Sequence, residues 1–363
     1  MKALIFKNHL SLSFIKRVFR WHWRYYLYGR GTPLSAGVYI IDVCNYKCQM
    51  CDIRMKDHWT IYPRKAQEQH IDILSKLGVI YYSVSGGEPT LVPDLSERLA
   101  YASERIPYVH LVTNGSTMTS ELATELGATG INEISVSLDG MEDFNNFSRG
   151  ISNAFKKAWN AVDLLCTYAP NVNVVVNSVV TRSNLGSLRE LQSHLENKFP
   201  QVYQKYLPLT FHELFLNEHK NPIQWPQKPA SSEELKKFFA EAIANPKIVN
   251  SKIFLRKAFL YLSGQKDIIP EQNHCLYPYH AIEFDVRGKA YPCITGCKGN
   301  GLPEQQNDIK LEDYLLSSNY LNSQKKLRDC NKCRDSMMLC YFEPRLNFPV
   351  HNLIKNFFAG SSF

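Results

Sequence analysis

The stretch Cys44-Asn45-Tyr46-Lys47-Cys48-Gln49-Met50-Cys51 places three cysteines within eight residues, directly after a short apolar segment. Three thiolates this close can hold three irons of a [4Fe–4S] cube and leave the fourth iron free to bind a small molecule. A zinc site is the alternative, although the nearest further ligands are Asp52 and His58. Because thiolates at this spacing without a fourth close ligand suit iron–sulfur clusters, the stretch favours an iron–sulfur site over zinc.

From residue 37 onward, short apolar segments alternate with segments of helical spacing. The predicted strands are Gly37–Val43, Val79–Val84, Tyr108–Val112, Glu133–Leu138, Val172–Val180 and Tyr206–Phe215. Helices are predicted between them at about 64–77, 93–105, 119–127, 153–168 and 187–198. This alternation predicts an α/β fold, a partial (β/α)6 TIM-like barrel whose functional loops follow the carboxyl ends of the strands.

Polar, glycine-containing motifs end three of these strands: Ser85-Gly86-Gly87-Glu88-Pro89, Thr113-Asn114-Gly115 and Ser137-Leu138-Asp139-Gly140. Paired glycines allow the backbone to approach a ligand closely, and a carboxylate such as Glu88 accepts hydrogen bonds from an ammonium group. Each motif alone is also compatible with an ordinary turn.

The C-x3-C-x2-C spacing, followed in order by these motifs, resembles the radical S-adenosylmethionine (radical SAM) superfamily over residues 37–215. The resemblance implies that the open iron binds the amino and carboxylate groups of S-adenosylmethionine, and that reduction then yields a 5′-deoxyadenosyl radical. The family usually has an aromatic residue before the third cysteine, where this sequence has Met50. A thioether can still pack against an adenine ring.

Site residues follow from the resemblance. It implies that Cys44, Cys48 and Cys51 bind the cluster, that Glu88 holds the amino group, and that Ser137 and Arg149 bind ribose and carboxylate. The full implied cofactor-binding set is Ser85, Gly86, Gly87, Glu88, Asn114, Ser137, Asp139, Arg149 and Asn177. No further catalytic residue is predicted.

Six more cysteines lie between residues 275 and 340. A C-x12-G-x4-C hairpin and a later C-x2-C pair suit zinc and an iron–sulfur cluster equally well. The arrangement resembles the SPASM or shortened twitch extension of radical SAM enzymes, which implies one auxiliary [4Fe–4S] cluster on Cys275, Cys293, Cys330 and Cys333. A second auxiliary cluster, using Cys297 and Cys340, is an alternative.

Five regions are predicted: a basic amphipathic segment (1–36), the radical SAM barrel (37–216), a linker with a helix over Ser232–Leu262 (217–262), the auxiliary-cluster domain (263–344) and an apolar tail (345–363). Residues 1–41 carry seven Lys and Arg and no acid, whereas the remaining chain holds 35 basic against 34 acidic residues. A nearly neutral body gives little reason to expect nucleic acid as a partner.

Residues 8–29 place apolar and aromatic side chains at helical spacing, interleaved with Lys and Arg. This pattern is compatible with a helix on a membrane surface and with a helix packed against the barrel. A basic arm that grips an acidic leader peptide is a third interpretation. No signal peptide or membrane-spanning run is evident, and clustered thiols indicate a reducing cytoplasm, with the inner face of the membrane as a possible contact.

The resulting hypothesis is a radical SAM oxidoreductase or maturase that takes a hydrogen atom from a peptide or small metabolite. A reductant such as flavodoxin or ferredoxin is the expected electron donor. The alternatives are an enzyme acting on a lipid or sugar at a membrane, or a non-catalytic zinc-binding module.

Overall fold

A computed structural model describes residues 12–29, 31–53, 58–210, 223–265, 268, 274–299, 301–302, 305, 310–330 and 337, with the backbone alone at 12–15 and 299. The strands are β1 Ser35–Tyr39, β2 Tyr81–Ser85, β3 Val109–Thr113, β4 Glu133–Ser137, β5 Asn173–Val180, β6 Tyr203–Pro208, β7 Ala281–Phe284 and β8 Ala290–Tyr291. They form one sheet in the order β6-β5-β4-β3-β2-β1-β7-β8. Every neighbouring pair is parallel except β7 with β8.

The helices are α1 Leu12–Tyr28, α2 Arg64–Leu77, α3 Leu95–Ser103, α4 Ser120–Ala128, α5 Glu142–Arg149, α6 Ala154–Tyr168, α7 Leu185–Lys198, α8 Ser232–Ala244, α9 Lys252–Leu262, α10 Tyr277–His280, α11 Ile294–Gly299, α12 Leu311–Leu316 and α13 Ser318–Arg328. Strands β1 to β6 alternate with helices, which confirms the predicted partial barrel. Because parallel strands are covered by helices, Val, Ile and Leu form the largest group among their buried side chains.

The first strand ends earlier than predicted, at Tyr39 instead of Val43. Beyond it, the carbonyl of Ile40 accepts a hydrogen bond from the Tyr62 amide at 2.8 Å, and Ile41 forms an isolated antiparallel bridge with Ile61. The chain therefore leaves the parallel sheet before the cysteine loop begins. The last predicted barrel strand, Tyr206–Phe215, starts earlier and ends at Pro208, and its part from residue 211 lies outside the described residues.

The single helix predicted over Ser232–Leu262 is wrong, because the structure has two helices, α8 and α9. Pro246 lacks an amide proton and disfavours a helical conformation at Asn245, which ends α8. The segment between the two helices forms hydrogen bonds with β6. The Gln204 amide donates to the Lys247 carbonyl at 2.9 Å, and the Val249 amide donates to the Gln204 carbonyl at 2.9 Å.

The predicted hairpin of the cysteine-rich region is β7–β8, with a turn at Gly288. Strand β7 pairs in parallel with β1, in the register Ser35 with Ala281. The cysteine-rich region therefore joins the barrel through the strand that precedes the Cys44 loop.

Helix α1 lies at the amino ends of the strands. Trp21 packs in one cluster with Leu34, Ile80 and Tyr279, which directly or closely precede β1, β2 and β7. Within the ranges described above, no helix combines the length and apolar character needed to cross a membrane.

Candidate functional site

The loop that carries Cys44, Cys48 and Cys51 is attached to the Gly86-Gly87 turn at the end of β2. The Gly87 amide donates to the Ile41 carbonyl at 2.8 Å, and the Glu88 amide donates to the Val43 carbonyl at 2.9 Å. A Cβ atom on Gly87 would lie 1.7 Å from the Val43 carbonyl oxygen. The close approach that the glycine pair allows is therefore made to the backbone of the cysteine loop.

The opposite side of this loop rests on the end of α5. The Gln49 amide donates to the Ser148 carbonyl at 2.8 Å. Gly150, with φ of 66°, is so close to the loop that a Cβ would lie 2.1 Å from the Lys47 carbonyl oxygen. The cysteine loop is thus held between the Gly87 turn and Gly150, and both contacts require glycine.

Glu88 is fully buried at the end of β2 and connects it to β3. Its Oε1 accepts hydrogen bonds from the Thr90 amide and hydroxyl and from the Thr113 hydroxyl, the last at 2.6 Å. Its Oε2 accepts one bond, from the Asn114 amide at 2.7 Å. Burial raises the pKa of this carboxyl, and the same hydrogen bonds oppose the rise. Oε2 has lone-pair capacity for a further donor.

Asn114 reaches the cysteine loop directly. Its Nδ2 donates to Asn45 Oδ1 at 2.9 Å and lies 3.7 Å from Cys44 Sγ. Asn45 in turn donates to the Ser116 hydroxyl at 2.7 Å. Asn45 is not among the predicted site residues, and its position between Cys44 and Cys48 is the signal in the sequence that points to it.

Asp139 is fully buried and organises the end of β4. It accepts hydrogen bonds from Arg149 Nη2 at 2.7 Å, from the Ser148 hydroxyl at 2.5 Å and from the Val179 amide at 2.9 Å. The guanidinium of Arg149 also contacts the thiol of Cys48. The Asp139 carboxylate therefore holds the Arg149 guanidinium in an orientation that contacts the cysteine loop.

The protein makes the thiols of Cys44 and Cys48 less acidic than a free cysteine. Burial raises the pKa of Cys44 to about 12, and the hydrogen bond from the Tyr46 amide opposes that rise. Burial also raises the pKa of Cys48 to about 11, and the positive charge of Arg149 opposes that rise. Thiols in such surroundings become thiolates when a metal binds them, because the metal displaces the proton.

Ser137 ends β4, and Asn177 lies within β5, where the sheet register pairs it with Ser137. Both are partly exposed, and the Leu138 amide donates to the Asn177 carbonyl at 2.9 Å. Ser85 ends β2 and is also partly exposed. Most residues implied by the resemblance thus lie at or just after the carboxyl ends of β2, β3 and β4, where parallel α/β folds bind ligands. Asn177 lies beside the end of β4, and Arg149 lies at the end of α5.

Three buried polar atoms near the cysteine loop have no hydrogen-bond partner among the described residues: Tyr46 Oη, Arg149 Nε and Asn177 Oδ1. Buried polar groups are normally paired, and these three atoms are therefore available to a polar ligand. A donor at Arg149 and an acceptor at Asn177 suit the carboxylate and hydroxyl groups of S-adenosylmethionine. Within the described part of the chain, no three Cys, His, Asp or Glu side chains meet as a single-ion site. A [4Fe–4S] cube instead takes each thiolate on a separate iron.

The second cysteine group forms its own cluster beside β7. Cys275, Cys293 and Cys297 are buried there, and Cys330 packs against them. Burial raises the pKa of Cys297 to about 12. Cys333 and Cys340 lie outside the described residues. Cys297 is predicted as a ligand of an alternative second auxiliary cluster. In the structure it lies beside Cys275, Cys293 and Cys330, which are predicted ligands of the first auxiliary cluster.

The model of the Radical SAM superfamily matches residues 38–192, the range that contains the loop and the strand ends described above. Residues 38–192 are a radical SAM domain. S-adenosylmethionine and a [4Fe–4S] cluster are the cofactors of this family, and the geometry around Cys44 fits both.

Two curated relatives are similar to this chain over part of its length. The mycofactocin maturase MftC of Mycobacterium tuberculosis is 32% identical over 165 residues, which are 45% of this chain and 41% of MftC. The Fe-coproporphyrin III synthase of Methanosarcina barkeri is 37% identical over 165 residues, which are 44% of this chain and 40% of the synthase. The match thus spans about two fifths of the length of these relatives.

The fold is similar over a wider range. The crystal structure of Streptococcus suis SuiB bound to its precursor peptide SuiA matches with a TM-score of 0.64 at 18% identity, covering 94% of this chain and 76% of SuiB. This coverage is too wide to be confined to residues 38–192, so the similarity in fold extends beyond the radical SAM domain.

Proposed function

We propose that this protein is a radical SAM enzyme that abstracts a hydrogen atom from a peptide substrate. The observation that carries the proposal is the three-thiol loop held between two glycines at the mouth of a radical SAM domain, with unpaired polar atoms beside it. The bound cofactors would supply a carbon-centred radical strong enough to attack an unactivated C–H bond, and the protein supplies orientation and shielding from water.

In this proposal Cys44, Cys48 and Cys51 ligate the cluster. Glu88 Oε2 accepts a hydrogen bond from the amino group of S-adenosylmethionine, and Arg149 Nε donates to its carboxylate. Ser137 and Asn177 contact the ribose. Ser85, Gly86 and Gly87 shape the turn beneath the cofactor, and Asn114 and Asp139 position the cysteine loop and Arg149.

A peptide substrate is supported by the names of similar proteins. MftC and the SkfB protein of Bacillus subtilis are called maturation proteins, and SuiB was solved with a precursor peptide. A small metabolite is the second candidate, since the synthase of Methanosarcina barkeri makes an iron porphyrin.

The test is an anaerobic assay of the reduced, reconstituted protein with peptides encoded beside its gene. Mass loss in a peptide, together with 5′-deoxyadenosine, supports the proposal. Turnover of a metabolite alone supports the second candidate.

We further propose that Cys275, Cys293, Cys330 and Cys333 hold an auxiliary [4Fe–4S] cluster, and that a flavodoxin or ferredoxin supplies electrons. The first three of these cysteines are brought together beside β7. Clusters bound by free thiolates fit a reducing compartment, so we place the enzyme in the cytoplasm.

Iron content tests the auxiliary site. Reconstituted protein should contain about eight irons, as two four-iron clusters require. Cys333→Ala should lower this to about four, whereas Cys297→Ala should leave about eight, because a C-x2-C pair supplies ligands and Cys297 is a neighbouring core thiol. The measurement is iron and zinc analysis with Mössbauer spectroscopy. The reverse pattern would make Cys297 the fourth ligand, and about twelve irons would require a second auxiliary cluster.

Glu88→Gln tests the cofactor contact. The variant loses a charge-assisted hydrogen bond to the amino group, so the affinity for S-adenosylmethionine should fall by about 10-fold to 100-fold. The measurement is anaerobic titration calorimetry of the reconstituted protein. The matched control is Glu97→Gln, which neutralises an exposed carboxylate on α3. Unchanged affinity in Glu88→Gln, with unchanged iron content, would remove Glu88 from the binding site.

A further inference from the structure

Helix α1 has one face that is fixed to the barrel. Trp21 is 1% exposed, and its indole donates to the Tyr279 carbonyl at 2.9 Å. Tyr25 stacks on Trp21, and Arg17 donates to the Val79 carbonyl at 3.1 Å. The orientation of the helix about its own axis is therefore determined by these contacts.

The opposite face carries two parallel rows at a spacing of four residues. One row is apolar and exposed: Phe19, Trp23 and Leu27 are 66%, 56% and 57% exposed. The other row is cationic and exposed, and consists of Lys16, Arg20 and Arg24. Side chains four residues apart lie on the same side of a helix, so the two rows run beside each other.

Such a face is costly to leave in water. Large contiguous apolar side chains on a protein surface usually mark an interaction site. Phe19 and Trp23 lie against each other, with ring centroids 6.3 Å apart, so the apolar row is continuous. No acidic residue occurs between residues 1 and 41, which leaves the cationic row without a carboxylate in its own segment.

We propose that this outer face of α1 docks on an anionic lipid surface. Aromatic and aliphatic side chains insert at the level of the headgroups, and the adjacent cations pair with anionic lipids, as in interfacial helices. Tyr26 and Tyr28, both exposed, extend the aromatic content at the carboxyl end of the helix. The face is the convex side of a single helix. This shape suits an extended surface such as a membrane, whereas a peptide ligand usually binds in a groove.

Docking through this face would fix the orientation of the site. Leu34 and Ile80 precede β1 and β2, whereas Cys44 and Glu88 follow them. A strand of five residues spans roughly 16 Å, so the cysteine loop lies at the far end of the sheet from α1. The substrate would then reach the site from the aqueous side, which disfavours the lipid-substrate alternative. The inference does not depend on the proposed reaction.

Vesicle co-sedimentation of the full-length, cluster-loaded protein tests the proposal. The probes are vesicles of phosphatidylcholine alone and of phosphatidylcholine with phosphatidylglycerol, at low and high salt. Binding should require the anionic lipid and weaken with salt. Replacing Lys16, Arg20 and Arg24 together with Gln should weaken partitioning on the order of 100-fold. The matched control replaces three exposed lysines elsewhere, Lys65, Lys236 and Lys237, with Gln and should bind as wild type.

Substitutions of Trp23 and Trp21 distinguish an effect on membrane binding from an effect on the stability of the fold. Trp23→Ser should weaken vesicle binding about 10-fold without changing the melting temperature, because Trp23 contributes to the outer row. Trp21→Ser should lower the melting temperature, because Trp21 is buried. The proposal is overturned if the full-length protein stays in the supernatant with anionic vesicles at low salt, or if the triple Gln variant binds as wild type. It is equally overturned if a soluble acidic peptide binds this face more tightly than the vesicles do.

Discussion

Replacing Cys44, Cys48 and Cys51 together with alanine should abolish reductive cleavage of S-adenosylmethionine. Without the three thiolates, the protein has no ligand set for the cluster whose free iron binds the cofactor. Formation of 5′-deoxyadenosine, measured by chromatography under anaerobic reduction, should fall to the level seen with reductant alone. Iron content should fall from about eight to about four per chain, because the C-terminal site is built from other cysteines.

The control is Cys166→Ala. Cys166 lies on α6, partly buried against the barrel core and apart from both cysteine groups. This variant removes a thiol without touching either predicted cluster, so its iron content and activity should match the wild type. Product formation at the wild-type rate in the triple alanine variant would refute the assignment. Zinc bound in place of iron in the wild type would instead support the zinc-binding alternative.

The sequence predicts the fold and the residue types at the strand ends well, for a physical reason. Parallel strands covered by helices need continuous apolar segments, and the loops after them carry the polar residues. Both features are therefore visible in short stretches of sequence. Helix α2 begins and ends where the spacing predicts, at residues 64 and 77. The division between α8 and α9 was missed because an apolar helical pattern continues on both sides of Pro246.

Roles within the site are less accessible from the sequence because they depend on tertiary contacts. The resemblance implies that Asp139 contacts the cofactor, and in the structure its carboxylate accepts hydrogen bonds from Arg149, Ser148 and the Val179 amide. Nothing in the motif Ser137-Leu138-Asp139-Gly140 distinguishes a residue that binds a ligand from one that positions its neighbour. The same applies to α1, whose amphipathic pattern shows two faces without showing which of them meets the barrel.

Gly87 shows the same dependence on tertiary contacts. Both glycines of the Gly86-Gly87 turn were expected to admit a ligand, but the structure places the backbone of the cysteine loop against them. A Cβ atom on residue 87 would lie 1.7 Å from the oxygen and 2.2 Å from the carbon of the Val43 carbonyl. Neither atom belongs to a flexible side chain, so the loop itself would have to move.

Gly87→Ala should therefore remove the cluster while sparing the rest of the protein. Moving the loop breaks the hydrogen bonds from Gly87 to Ile41 and from Glu88 to Val43, and adds overpacking strain. These effects should together lower the free energy of unfolding of the apo-protein by about 3 kcal/mol. Iron should fall from about eight to about four, and 5′-deoxyadenosine formation should be lost. Urea denaturation, iron analysis and the product assay provide the three measurements.

The matched control is Gly186→Ala. Gly186 lies in the first turn of α7, and a Cβ there would meet no atom within 4 Å. Because alanine restricts the unfolded chain and favours the helix, this variant should be more stable than the wild type by about 0.5–1 kcal/mol, with unchanged iron and activity. If Gly87→Ala kept its iron and its activity as Gly186→Ala does, the turn after β2 would not be what holds the cysteine loop in place. The loop would then have to be held by its other contacts, which include those with Ser148, Gly150 and Asn114.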